Sequence, residues 1–237
     1  MERQEKQYSE IWYGQEGEKK EGLSGAQELK EVMSYKYLGI ELDNHLNFRL
    51  ARETIRRKAR KGIVLATNAY WKGINARAGE QVWEQMIRPI IEYASEIWFA
   101  GKETDLERLQ LQVGKALLGV GQSCASEVVR GELAWWRLAS RADFTKLKFW
   151  ARLVNMPKER LIKQVWQQRK LNSSEKKGSW CWKVQQILKS IRMEHLWQQE
   201  AVSLNLEKEL RARLHDREIL DWRKRDEINL NLSGIRN

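Results

Sequence analysis

The chain has 237 residues, enough for one large domain or two modest ones, each with a real core. It carries 43 Lys and Arg against 32 Asp and Glu, a net charge of +11 that favours an anionic partner. Two cysteines exclude a disulfide framework, no apolar run approaches the roughly 18 residues of a membrane span, and nothing at the N-terminus resembles a signal peptide. A reducing, intracellular setting, nuclear or cytoplasmic, is therefore expected, with no membrane partner.

Residues 9–13 are a short β-prone run, followed by a Gly/Glu/Lys-rich turn at 14–25. Residues 33–43, MSYKYLGIELD, surround one glycine with aromatic and branched side chains and predict a strand or hairpin. After Asn44 the period changes. Over residues 47–71 Phe48, Ile55, Ala59, Ile63, Ala66 and Tyr70 recur at helical spacing and share one face. Arg49, Arg56 and Arg60 form a second stripe, with Arg52 on its border, and Arg57, Lys58 and Lys61 widen the positive surface. Only Glu53 opposes these cations, so few i,i+4 pairs can form and the like charges repel. A solvated face is the plain explanation; an anionic ligand for this helix is the sharper one.

Residues 76–99 read as a second helix with Pro89 inside it, which should kink or divide it. Thr104 and Glu107 match a capping box that opens a third helix, which Gly119 and Gly121 end. Residues 123–136 suggest a short helix and a turn. Residues 138–155 are amphipathic, with Phe144, Leu147, Trp150, Ala151 and Val154 opposite Arg141, Lys148 and Arg152. Pro157 starts another helix carrying Leu161, Ile162, Val165 and Trp166, and residues 172–179 are the best linker candidate. Helices are predicted at 180–191 and 204–222. Most of the 12 tryptophans fall on apolar helical stripes, which assigns them to cores; rings off those stripes would be available to stack on bases.

The charge excess is clustered. Residues 46–75 have a net charge of +7 and residues 111–170 a net charge of +8, against −4 over residues 1–45. Clustering points to a polyanion site more directly than net charge does. Sites for chemistry are missing from the pattern. The six aspartates, at 43, 105, 143, 216, 221 and 226, are scattered, whereas two-metal nucleotidyl transfer needs carboxylates holding ions about 4 Å apart. No Gly-rich loop precedes a Lys-Ser/Thr pair, and Cys124, Cys181, His45, His195 and His215 lack zinc-site spacing. No metal, no cofactor and no catalytic residue is expected.

Several blocks, in order, resemble one family. Tyr35-Lys36-Tyr37-Leu38-Gly39 with Ile40, Leu42 and Asp43 looks like the hairpin after the catalytic palm of non-LTR (LINE-type) retrotransposon reverse transcriptases. The run from Pro89 to Trp98 resembles that family's P-x-L-x-Y-G-x-E-x-W helix. Leu106-Glu107-Arg108-Leu109-Gln110 with Leu117-Leu118-Gly119, Gly131-Glu132-Leu133-Ala134-Trp135, the stretch from Leu147 to Leu153 with Met156-Pro157, and Ser179-Trp180 are similar to later blocks. Ala94 and Ala134 stand where the family usually has glycine, and the palm with its paired aspartates would lie before residue 1.

The resemblance covers about residues 9–200 and implies a mainly α chain, a helical thumb-like bundle with a short N-terminal β-hairpin. It implies a palm remnant with a primer-grip-like hairpin at 1–45, a thumb-like domain at 46–171 and a helical extension at 180–237. It also implies that Tyr37, Leu38 and Gly39 position a primer end, and that the thumb holds duplex by its phosphates, the role assigned to Arg49, Arg52, Arg56, Arg57 and Arg60 and to Arg141, Lys148 and Arg152. The expected partner is RNA or an RNA–DNA duplex bound without sequence preference, with a polymerase part outside this chain as a second candidate. The alternative readings are a Trp-rich protein-interaction module and an adaptor reused by a host.

Overall fold

The structure, a computed structural model, describes residues 23–24, 27–28, 32–45, 48–71, 75–99, 104–171, 177–203 and 205–234. The predicted run at 9–13, most of the turn at 14–25, residues 172–176 of the linker and the side chains of Ala66 and Tyr70 lie outside the described residues. The described chain is mainly helical with a short antiparallel hairpin near its N-terminus, as expected, and divides into two compact units, Met1–Ala51 and Arg52–Asn237.

In the first unit, Leu23–Ser24 (β1) pairs with Gln27–Glu28 (β2), and Ser34–Tyr37 (β3) with Ile40–Asp43 (β4). The β3–β4 register sets Lys36 opposite Glu41 and Tyr37 opposite Ile40. Leu38 and Gly39 make the turn with φ of 45° and 84°. Two positive φ angles in a two-residue loop match the twist of the flanking strands, and glycine takes that conformation without a Cβ penalty.

The first long helix, α1 (Arg49–Trp71), begins in this unit and continues into the second. Helix α2 (Ala76–Val82) starts at Asn75, whose side chain accepts from the Ala78 N–H at 2.9 Å. It runs through a π-helical turn, Trp83–Ile87, into α3 (Arg88–Glu92). The expected disturbance at Pro89 takes this form: the ring would crowd the carbonyl four residues back, and the Arg88 N–H reaches Trp83 instead in the widened turn. The chain then reverses at Tyr93 and Ala94 into a single turn, α4 (Ser95–Trp98), held by an indole N–H bond from Trp98 to the Tyr93 carbonyl, 2.7 Å.

Next come α5 (Thr104–Leu118), α6 (Ser126–Glu132), α7 (Leu138–Asn155), α8 (Leu161–Leu171), α9 (Trp180–Ser190), a 3-10 turn (Glu194–Gln198) and α10 (Leu206–Gly234). The predicted capping box is corrected here. Glu107 does not close its own helix; its carboxylate accepts from the Ala139 N–H at 3.0 Å and from Arg130 at 3.1 Å. It thereby caps α7, whose N-cap residue, Arg137, offers no side-chain cap of its own. Most of the described tryptophans fill cores as expected. Trp83 stacks on Trp135 with centroids 5.0 Å apart, and Trp150, Trp166 and Trp197 gather in a second cluster. Residues of the predicted helical extension contribute to that second core: Cys181, Val184, Leu188, Leu206, Leu210 and Leu214 are buried with Leu147 and Trp150 of α7.

Beyond Leu214, α10 is fastened to α7 by charge. Glu218 accepts from the Arg137 Nε at 2.8 Å and from the Ser140 hydroxyl, while Arg137 also reaches Asp221 at 3.1 Å and Arg217 reaches Asp143 at 2.8 Å. Burial alone would raise the Glu218 carboxyl, but the hydrogen bonds from Arg137 and Ser140 outweigh it and hold the group below the ordinary glutamate range. A depressed carboxyl stabilises the fold above its unfolded value and loses that contribution as pH falls through the folded one. Glu218→Ala is expected to cost about 2–3 kcal/mol at neutral pH, since it strips a half-buried guanidinium and a buried hydroxyl of their acceptor. In urea melts that deficit should shrink below the ordinary glutamate range; a pH-independent deficit would count against the pairing.

Three helix ends use left-handed residues. At α5, α6 and α9 the chain closes with paired bonds of the Schellman type: Val120 N–H to Lys115 at 3.0 Å, Trp135 N–H to Arg130 at 2.9 Å and Met193 N–H to Leu188 at 2.9 Å. Gly119 (φ 66°) occupies the left-handed position in the first, but Ala134 (φ 50°) and Arg192 (φ 57°) do so in the others, and Ala94 (φ 52°) opens α4 in the same conformation. A Cβ there costs about 1–2 kcal/mol. Ala94→Gly and Ala134→Gly are each expected to stabilise the chain by about 1 kcal/mol, raising Tm by roughly 2–4 °C. A lower Tm for either glycine variant would refute that reading of the turn.

Candidate nucleic-acid interface

Helix α1 presents two opposed faces. Ala51, Ile55, Ala59 and Ile63 are buried at i,i+4 steps, and Gly62 lets the helix approach the π turn, where a Cβ would come within 2.8 Å of the Ile87 side chain. Across the helix from them Arg57, Arg60 and Lys61 are exposed, with Lys58 exposed at the border of the two faces. None of these four has an ion pair or hydrogen bond with a described residue, whereas Arg56 turns aside to Asp105 at 3.3 Å. Arg49 is exposed and Arg52 half-buried, and both have interactions of their own. Four adjacent cations on little more than one turn repel one another, and such a face is stabilised by anions that come from outside.

The second basic zone is arranged differently. Arg141 pairs with Glu92 of α3. Lys148 pairs with Glu207 at 2.8 Å and lies over the Phe144 ring. Arg152, exposed, lies over Phe149 with 5.5 Å to the ring centroid. Other cations of this zone close the fold. Lys115 donates to the Gln122 carbonyl, Lys163 to the last carbonyls of α7 at Leu153 (2.9 Å) and Val154 (2.6 Å), and Lys146 to the Phe99 carbonyl at 3.1 Å. Lys146 is buried at 3 % exposure, and burial pulls its ammonium down to about 8, with Asp143 and Glu96 opposing and Lys183 adding to the shift. Burial likewise raises the Asp143 carboxyl, against the pull of Arg217. The internal bonds of Arg141, Lys146 and Lys163 join residues far apart in the chain or across a helix end, so net charge by segment gave no sign of them.

The hairpin residues Tyr37, Leu38 and Gly39 sit at the exposed tip of β3–β4, with Leu38 72 % exposed. Leucine is a poor choice for a left-handed turn position on stability grounds alone. Lys58 and Lys61, which flank the predicted arginines, belong to the exposed face with Arg57 and Arg60. Among the described residues no three His, Cys, Asp or Glu side chains gather where they could hold a metal ion, and no helix is long and apolar enough to cross a membrane. No protein-family model, curated protein or solved structure matches the chain.

Proposed function

We propose that this chain is a non-catalytic nucleic-acid-binding fragment of a non-LTR retrotransposon reverse transcriptase, holding RNA–DNA duplex or structured RNA through its phosphates. The observation that carries the reading is the outward face of α1: Arg57, Lys58, Arg60 and Lys61 are exposed and unpaired among the described residues, while many cations of the other basic zone are engaged internally. Phosphate contacts of this kind give affinity without sequence choice. The kinship draws further support from Ala94 and Ala134. Both positions take the left-handed conformation, and at both the family pattern has glycine. Glycine is the residue such a backbone favours, so the family's preference and this chain's geometry agree on physical grounds.

Filter binding to an RNA–DNA duplex across a salt series tests the reading. A log–log slope of several units, equal for unrelated sequences, is the expected result; a flat slope would favour the alternative of a Trp-rich interaction module or adaptor. Purified chain is expected to incorporate no nucleotide on a template–primer with Mg²⁺.

A further inference from the structure

Helix α8 is apolar on its outer side. Leu161, Ile162 and Val165 are exposed there at 72 %, 46 % and 47 %. Beside them opens a cavity of about 380 Å³, lined by Ile162, Val165, Trp166 and Arg169 of α8 and by Trp180 and Cys181 of α9. Contiguous exposed aliphatics next to a concave apolar site mark a docking surface rather than ordinary exposure.

The two helices that line the groove carry charge of one sign. Neither α8 nor α9 contains an aspartate or glutamate, and together they carry Lys163, Arg169, Lys170, Lys183 and Lys189. Lys163 is bound to the end of α7 and Lys170 lies over the rings of Trp166 and Trp197, but Arg169 is exposed and has no ion pair among the described residues. In the turn before α8, Lys158 and Arg160 outnumber Glu159, all three exposed, and the carboxylate that acts on Lys163 and Lys170 is Glu200.

Nucleic acid suits this groove poorly. Phosphates gain nothing from Ile162 and Val165, and the indole of Trp166 is only 6 % exposed, too covered to serve as a stacking platform. We propose that the groove between α8 and α9 docks an acidic amphipathic helix of a partner protein. The aliphatic side chains of that helix, at i, i+3 or i+4 and i+7, lie against Ile162 and Val165, and its carboxylates face Arg169 and the neighbouring cations. The 11 residues of α8 span about 16 Å, which matches a partner helix of about three turns.

The test uses the full chain and two labelled synthetic peptides of about three turns. Both carry leucines at helical spacing on one face; one has glutamates on the flanks and its twin has lysines. Fluorescence anisotropy is expected to show the glutamate peptide binding at least tenfold tighter than the lysine twin. Val165→Asp should weaken the glutamate peptide at least tenfold. Arg169→Glu should weaken the glutamate peptide and strengthen the lysine twin, an exchange that a merely damaged fold would not produce. Alanines at Arg57, Lys58, Arg60 and Lys61 should leave peptide binding unchanged, which separates this surface from the nucleic-acid face. Equal affinity for the two peptides, or indifference to Val165→Asp, overturns the proposal. So does an RNA oligonucleotide whose binding is lost in Val165→Asp, because the groove would then be a nucleic-acid surface.

Discussion

Alanine at Arg57, Lys58, Arg60 and Lys61 together is expected to weaken RNA–DNA duplex binding by about several thousandfold in about 0.1 M salt, and to lower the salt slope by about 3–4 units. Each cation that neutralises a phosphate releases about 0.9 of a counterion, worth close to tenfold in affinity at that salt, and the four lie side by side on one exposed face. The loss should be the same for unrelated sequences of one duplex type, because phosphates carry no sequence information. The fold should survive, since surface substitutions away from special features usually cost within about 0.5 kcal/mol and the mutual repulsion of the four charges is removed as well. Lys148→Ala is a useful companion: its ammonium is already paired with Glu207, so a much smaller loss is expected. A quadruple variant that binds with unchanged affinity and slope would show that the face of α1 is merely solvated, and the interaction-module reading would move ahead.

The second large effect is a pH dependence centred on Lys146. Its folded value, about 8, lies below the unfolded 10.5 because burial disfavours the ammonium. A depressed lysine leaves the fold paying its desolvation cost in full below about pH 8, and the cost disappears as pH rises towards the unfolded value. Stability measured in urea at pH 7 and pH 10.5 should therefore rise, relative to Lys146→Met, by roughly 3 kcal/mol. The comparison with methionine removes contributions from titrating groups that do not interact with Lys146, while Asp143, Lys183 and Glu96 are coupled to its charge and their share stays within the difference. It also leaves aside whatever methionine itself gains or loses against the Phe99 carbonyl, since that difference does not titrate. Parallel pH curves for the two proteins would mean that Lys146 reaches water in solution.

Much of the architecture follows from local pattern. The apolar stripe of residues 138–155 predicted α7 with both its ends, the single glycine among aromatic and branched residues predicted a strand or hairpin where β3–β4 forms, and the placement of tryptophans on helical stripes assigned Trp83, Trp150 and Trp166 to cores. Such features are legible because helix and strand periods repeat over a few residues and each side chain needs only its own neighbours to define a face. The basic face of α1 is visible for the same reason: it is one helix with almost no acid in it.

What the tertiary structure alone decided is which groups have partners. Arg141 meets Glu92 across 49 residues of sequence, Arg137 meets Glu218 across 81, and Glu107 caps a helix 32 residues downstream instead of its own. Those pairings turn many cations of a second basic zone, similar in net charge to the first, into bonds that close the bundle, whereas Arg57, Lys58, Arg60 and Lys61 remain a cluster without partners among the described residues. Net charge and spacing count cations, but only packing determines how close a carboxylate comes, and an ion pair falls off with distance in space rather than along the chain.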